Sequence, residues 1–93
     1  MPLNTPDIPA ILARVTDAIE TMAWLKTPVA APISGAFQGR SADFLVTVAE
    51  WEDGDAHGYD GVASSTGGDL VIMRLTPELA ARAFVLATRA CAS

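Results

Sequence analysis

The sequence predicts an α+β fold: a two-layer sandwich in which an antiparallel sheet of three to four strands is flanked by an N-terminal and a C-terminal helix. Three observations lead there. An apolar stripe at helical spacing opens the chain, and a second one closes it. Between them, alternating segments are joined by turns too tight for parallel crossovers, which implies antiparallel pairing. Two amphipathic helices need an apolar surface to cover, and one face of such a sheet supplies it.

Thr5-Pro6-Asp7-Ile8-Pro9 reads as a helix start, with a capping side chain and prolines where a missing amide donor costs little. Ile8, Ile11, Leu12, Val15, Ile19 and Met22 then share one stripe, which predicts a helix over residues 8–26 that stops before Pro28. Pro28, Pro32, Gly35 and Gly39 punctuate the next segment, so residues 29–37 read as an interrupted edge strand. Residues 43–51 form the clearest strand. Phe44, Val46 and Val48 take one face, while Leu45, Thr47 and Ala49 take the other.

Residues 52–58 read as a loop, and residues 59–65 as a weaker strand interrupted by Gly61. Thr66-Gly67-Gly68-Asp69 is a hairpin turn. Residues 70–75 are apolar on both faces, the pattern of a central or sandwiched strand. Thr76-Pro77-Glu78 then starts a helix with a cap, a proline at its first position and a carboxylate near the positive end of the dipole. Leu79, Ala83, Leu86 and Ala90 line its stripe, widened by Ala80, Phe84, Ala87 and Cys91.

Ninety-three residues, 51% of them hydrophobic, make one domain near the lower end of what buries an adequate core unaided. The net charge is −5, and its placement is uneven. Seven carboxylates and no lysine or arginine lie between Ser41 and Met73; all six basic residues (Arg14, Lys26, Arg40, Arg74, Arg82, Arg89) lie outside that stretch. Such segregation projects a directional field. It disfavours direct contact with nucleic acid or anionic membrane, and favours a basic protein surface as partner. The single cysteine forms no internal disulfide and fits a reducing compartment. The first residues lack the basic and apolar regions of a signal peptide, and no apolar run approaches the ~20 residues that span a bilayer. A cytoplasmic protein is expected.

Motifs for chemistry are weak. Asp53-Gly54-Asp55-Ala56-His57-Gly58 opens like a calcium loop, but His57 stands at the fifth position and Ser64 where a bidentate glutamate belongs. One histidine and a remote cysteine fall short of a zinc set. Gly35 to Ser41 echoes a phosphate-binding loop with three residues instead of four between its glycines and an arginine in place of the lysine. Cys91 sits on the apolar arc of its helix, far from His57 in sequence, and reads as a packing residue. Neither an enzyme, nor a metal site, nor a cofactor is expected.

The candidate partner-binding residues are Asp43, Glu50, Trp51, Glu52, Asp53, Asp55, Tyr59 and Asp60. Glu50 and Glu52 have strand spacing and share a face, and Glu50 takes the parity of the apolar residues, so an end or a bulge of the strand near Ala49 is expected. Trp51 has the opposite parity. It is either an interface anchor among carboxylates or, if the strand bulges, an inward-turned core residue. Trp24 falls roughly 160° from Ile8 on a helical wheel at ~100° per residue and leaves the stripe; packing against Pro28 or Pro32 is the simpler assignment.

In general profile (short, acidic, α+β, free of catalytic motifs) the chain resembles phage-encoded inhibitors such as anti-CRISPR proteins. That group shares no motif, so the resemblance implies a class, inhibition by nucleic-acid mimicry or site blocking, and no particular residue. Two other readings stand beside it. One is a homo-oligomer, homodimer included, built on an edge strand or an uncovered apolar face; the other is a divalent-ion-binding domain using residues 53–58.

Overall fold

The computed structural model describes residues 8–66 and 72–92, with Ile8 described by its backbone alone. It contains α1 (Ile8–Ile19), β1 (Ala23–Lys26), β2 (Ile33–Arg40), β3 (Phe44–Asp53), β4 (Ala56–Ser65), β5 (Ile72–Arg74) and α2 (Pro77–Ala90). The five strands make one sheet in chain order, every neighbour antiparallel. The result is the expected α+β two-layer sandwich with five strands instead of three to four. No helix among the described residues is long and apolar enough to cross a membrane. The caps expected at Thr5 and Asp7, the turn residues Gly67–Asp69 and the start of the strand expected over 70–75 lie outside the described residues.

Four expectations are corrected. The first helix ends at Ile19, not near Lys26, where the Thr21 amide and hydroxyl both bond to the Ala18 carbonyl. The released residues become edge strand β1, which puts Trp24 in the core at 8% exposure. A longer helix would leave that indole off the apolar stripe. Burying about 200 Å² of it, at about 25 cal/mol per Å², favours the strand by up to about 5 kcal/mol. Trp24 packs over Gly39, its partner on the neighbouring strand.

Second, β2 is internal, between β1 and β3. Its glycines mark close approach, not an edge: a Cβ on Gly39 would stand 2.7 Å from the Trp24 ring, and one on Gly35 would stand 3.2 Å from Phe84. Third, β5 is the other edge, next to β4 alone in the strand order, with Met73 on the core and Ile72 66% exposed. Fourth, residues 52–58 are strand, turn and strand. Asp53 pairs with Ala56, and Gly54 at φ 64° opens a two-residue turn of the type II′ pattern.

The register divides the sheet into two faces. Trp24, Phe37, Phe44, Val46, Val48, Ala63 and Met73 point to the helical side and join Val15, Ile19, Ala80, Ala83 and Ala87 in one core. Helix α2 starts on the Thr76 cap, whose hydroxyl accepts from the Leu79 amide at 3.2 Å. It then crosses the strands from Gly61, beside Ala80, past Phe37, in edge contact with Phe84, to Trp24, whose carbonyl accepts from Cys91 Sγ at 3.4 Å. Small residues at 80, 83 and 87 let the helix backbone lie close to the sheet. The helix stripe expected from the sequence is present, but Ala90 and Cys91 at its end are exposed.

Candidate functional site

Strands β3 and β4 pair without a break from Phe44 opposite Ser65 to Asp53 opposite Ala56. No bulge interrupts β3 near Ala49. The irregularity lies in β2, between Ile33 and Gly35. That strand follows β3 as far as Trp51, and among the described residues β5 pairs with β4 at residues 62–64. Beyond Trp51 the hairpin therefore runs on by about 7 Å as a two-stranded ribbon, taking ~3.4 Å per residue. Its Glu52 amide bonds to the Pro32 carbonyl at 2.9 Å.

Alternation sorts the candidate residues. Trp51, Asp53 and Asp60 lie on the face away from the helices; Glu50, Glu52 and Tyr59, with His57, lie on the helical face; Asp55 is in the turn. Asp43 is not with them. It precedes the other end of β3, about 37 Å from the turn at strand spacing, where it meets Arg14 at 3.5 Å. The structure thus gathers seven of the eight candidates on the hairpin and leaves one outside.

Glu50 explains its own apolar parity. It sits just past the end of the core, beside Tyr59, whose ring packs on Phe84 with centroids 5.4 Å apart. One carboxylate oxygen accepts from Tyr59 Oη at 3.1 Å and meets His57 Nε2 at 3.0 Å; the other accepts from Ser34 Oγ at 3.1 Å. The bulge in β2 brings Ser34 to that position. The His57 bond is the main reason the Glu50 carboxyl is held below its ordinary value of 4.5, with Tyr59 and Ser34 adding to it and partial burial opposing. The same bond to Glu50 pushes the Tyr59 hydroxyl above its ordinary 10.0. Sequence reasoning missed Ser34 and placed His57 in a loop. The signal was there: a glutamate at a core-facing position needs donors.

The other carboxylates are different. Glu52, Asp53, Asp55 and Asp60 are exposed, and none forms an ion pair among the described residues. Trp51 is half-buried and lies across Gly58, where an added Cβ would stand 2.5 Å from its ring. It is therefore on the open side of the ribbon, not turned into the core. The Asp53–Gly58 run is spread along both faces of a hairpin, and no group of three or more His, Cys, Asp or Glu among the described residues is placed to hold a metal ion.

Fold and site together define a two-layer α+β sandwich with a protruding acidic hairpin. Comparison with protein-family models, with curated proteins and with solved structures finds no match.

Proposed function

We propose that this protein is a non-catalytic binding module whose acidic β3–β4 hairpin docks on a basic surface of another protein in the cytoplasm. The observation that carries this reading is the ribbon beyond Trp51. It presents Glu52, Asp53 and Asp55 to solvent, unpaired among the described residues, ahead of the rest of the sheet. Unneutralised charge on a projecting element steers encounter with a surface of opposite sign. The half-exposed Trp51 adds an apolar body beside those carboxylates, the composition that interface anchors favour.

Glu50 has a separate part. His57 and Tyr59 join the two strands of the hairpin through Glu50, and Ser34 ties the base of the ribbon to β2, so the hairpin loses less entropy on docking. A partner that itself binds nucleic acid fits the chemistry best, since its groove is already selected for negative charge. Site blocking or phosphate mimicry by a phage-type inhibitor is the form such a function takes.

The test is capture of a partner with the immobilised protein, followed by affinity measurements at several salt concentrations against Glu52→Lys/Asp55→Lys. The reading expects binding that weakens steeply with salt and falls at least about tenfold in the double variant, a loss of about 1.4 kcal/mol. Affinity indifferent to both salt and charge reversal would overturn it.

A further inference from the structure

The sheet has a second face, and no described element covers it. Leu25, Ala36, Leu45, Ala49, Val62 and Ile72 point there from all five strands. Leu25 is 70% exposed, Ile72 66% and Val62 43%, so three of the exposed large hydrophobic side chains share one surface. Half-buried Ile33 and Trp51 extend it toward the hairpin.

The charges on this face are ordered along the strands. Arg40 is level with Leu45, and Arg74 with Val62, toward the end away from the hairpin. Asp60 is level with Ala49, and Asp53 ends β3 at the hairpin. None of the four is ion-paired among the described residues. One end of an apolar face is thus basic and the other acidic.

We infer that this open face is a dimer interface and that its occupant is a second copy of the chain. Two identical sheets packed face to face are related by a two-fold axis lying in the plane between them. An axis along the strands would stack acidic end on acidic end. An axis across the strands reverses one copy, so Asp53 of each copy meets Arg40 of the other and the apolar side chains pair between them. Charge complementarity selects the second arrangement.

The size is adequate. Three strands over roughly 20 Å, with the shorter β1 and β5 of four and three residues, give at about 4.8 Å spacing a plane of about 400 Å² per copy, or about 800 Å² for the pair, before side-chain relief. That is close to the ~1,000 Å² total at which a specific interface begins. The packing is that of an aligned β-sandwich. It turns each copy's helices outward and sends the two acidic hairpin turns to opposite ends of the dimer. In the dimer Asp53 and Trp51 are engaged by the second copy, which leaves Glu52 and Asp55 to meet a partner; mass, not partner affinity, reads this inference out.

Sedimentation equilibrium of the full chain tests it, with circular dichroism to verify folding. The wild type is expected at twice 9.7 kDa. Val62→Glu, a change at an exposed position, is expected to give a folded monomer. Arg40→Asp and Asp53→Arg should each weaken the dimer about tenfold or more. The combined variant should restore it, since within one chain the two positions are about 27 Å apart at strand spacing and cannot repair each other. A wild-type monomer at all concentrations, or a Val62→Glu dimer, would overturn the interface; a combined variant as weak as either single change would overturn its axis.

Discussion

The indole of Trp24 covers Gly39 on the neighbouring strand so closely that a Cβ there would stand 2.7 Å from the ring. The pair joins edge strand β1 to β2 and closes the core beneath the end of α2, where the Trp24 carbonyl also accepts from Cys91 Sγ. It has a counterpart on the opposite face, Trp51 across Gly58. Both pairs set an indole across a glycine of the neighbouring strand, in different surroundings, which makes them separable by experiment.

Gly39→Ala should cost about 2 kcal/mol, within the usual range for overpacking, because the Trp24 ring is buried and has nowhere to go. Chemical denaturation at equilibrium reads this directly. A variant as stable as the wild type would show that the ring and β1 shift together at no cost.

Gly58→Ala should cost less, about 1 kcal/mol or under, because Trp51 is half-buried and its ring can swing toward solvent. The accompanying sign is a red shift in tryptophan emission. Loss of stability equal to that at Gly39 would mean that Trp51 is held as firmly as Trp24.

The Glu50 network makes stability fall in acid. The folded carboxyl titrates below its ordinary 4.5, so the contribution is fully present above that value and is lost as pH drops through the lower folded value. Glu50→Gln should therefore lie about 1 kcal/mol below wild type at neutral pH, with the gap closing on the acid side of 4.5. Tyr59 has the opposite sense: its raised value gives stability present below 10.0 and lost as pH rises through the folded value. Urea unfolding as a function of pH checks both limbs. A gap that stays constant through the acid range would remove the carboxylate as its cause.

Thr76→Ala should lower stability by about 1 kcal/mol, since the Leu79 amide loses its acceptor at the start of α2. Thermal unfolding measures it. An unchanged midpoint would mean that the Pro77 start holds the helix without the cap.

Local rules carried much of the fold. The stripe from Ile11 to Ile19, the alternation of Phe44, Val46 and Val48, and the Thr76-Pro77 start depend on neighbours within four residues, and each appears as expected. Position in the sheet is not local. Extension of the stripe predicts a helix over residues 23–26, but they form a strand in which Trp24 is received by Gly39 across the sheet. Residues 52–58 carry polar and glycine residues like a loop, yet Gly54 turns them into a ribbon that no other described strand shields at its tip.

The candidate site divides in the same way. The order of residues alone makes the middle of the chain acidic and free of lysine and arginine, and sets Glu50, Trp51 and their neighbours alternating along a strand. It took the packed fold to surround Glu50 with Ser34, His57 and Tyr59, to lay Trp51 on the open face, and to stand Asp43 at the far end beside Arg14. The physical reason is that charge and periodicity are properties of a chain read in order. The partner of a side chain is fixed by strands and helices that meet across tens of residues.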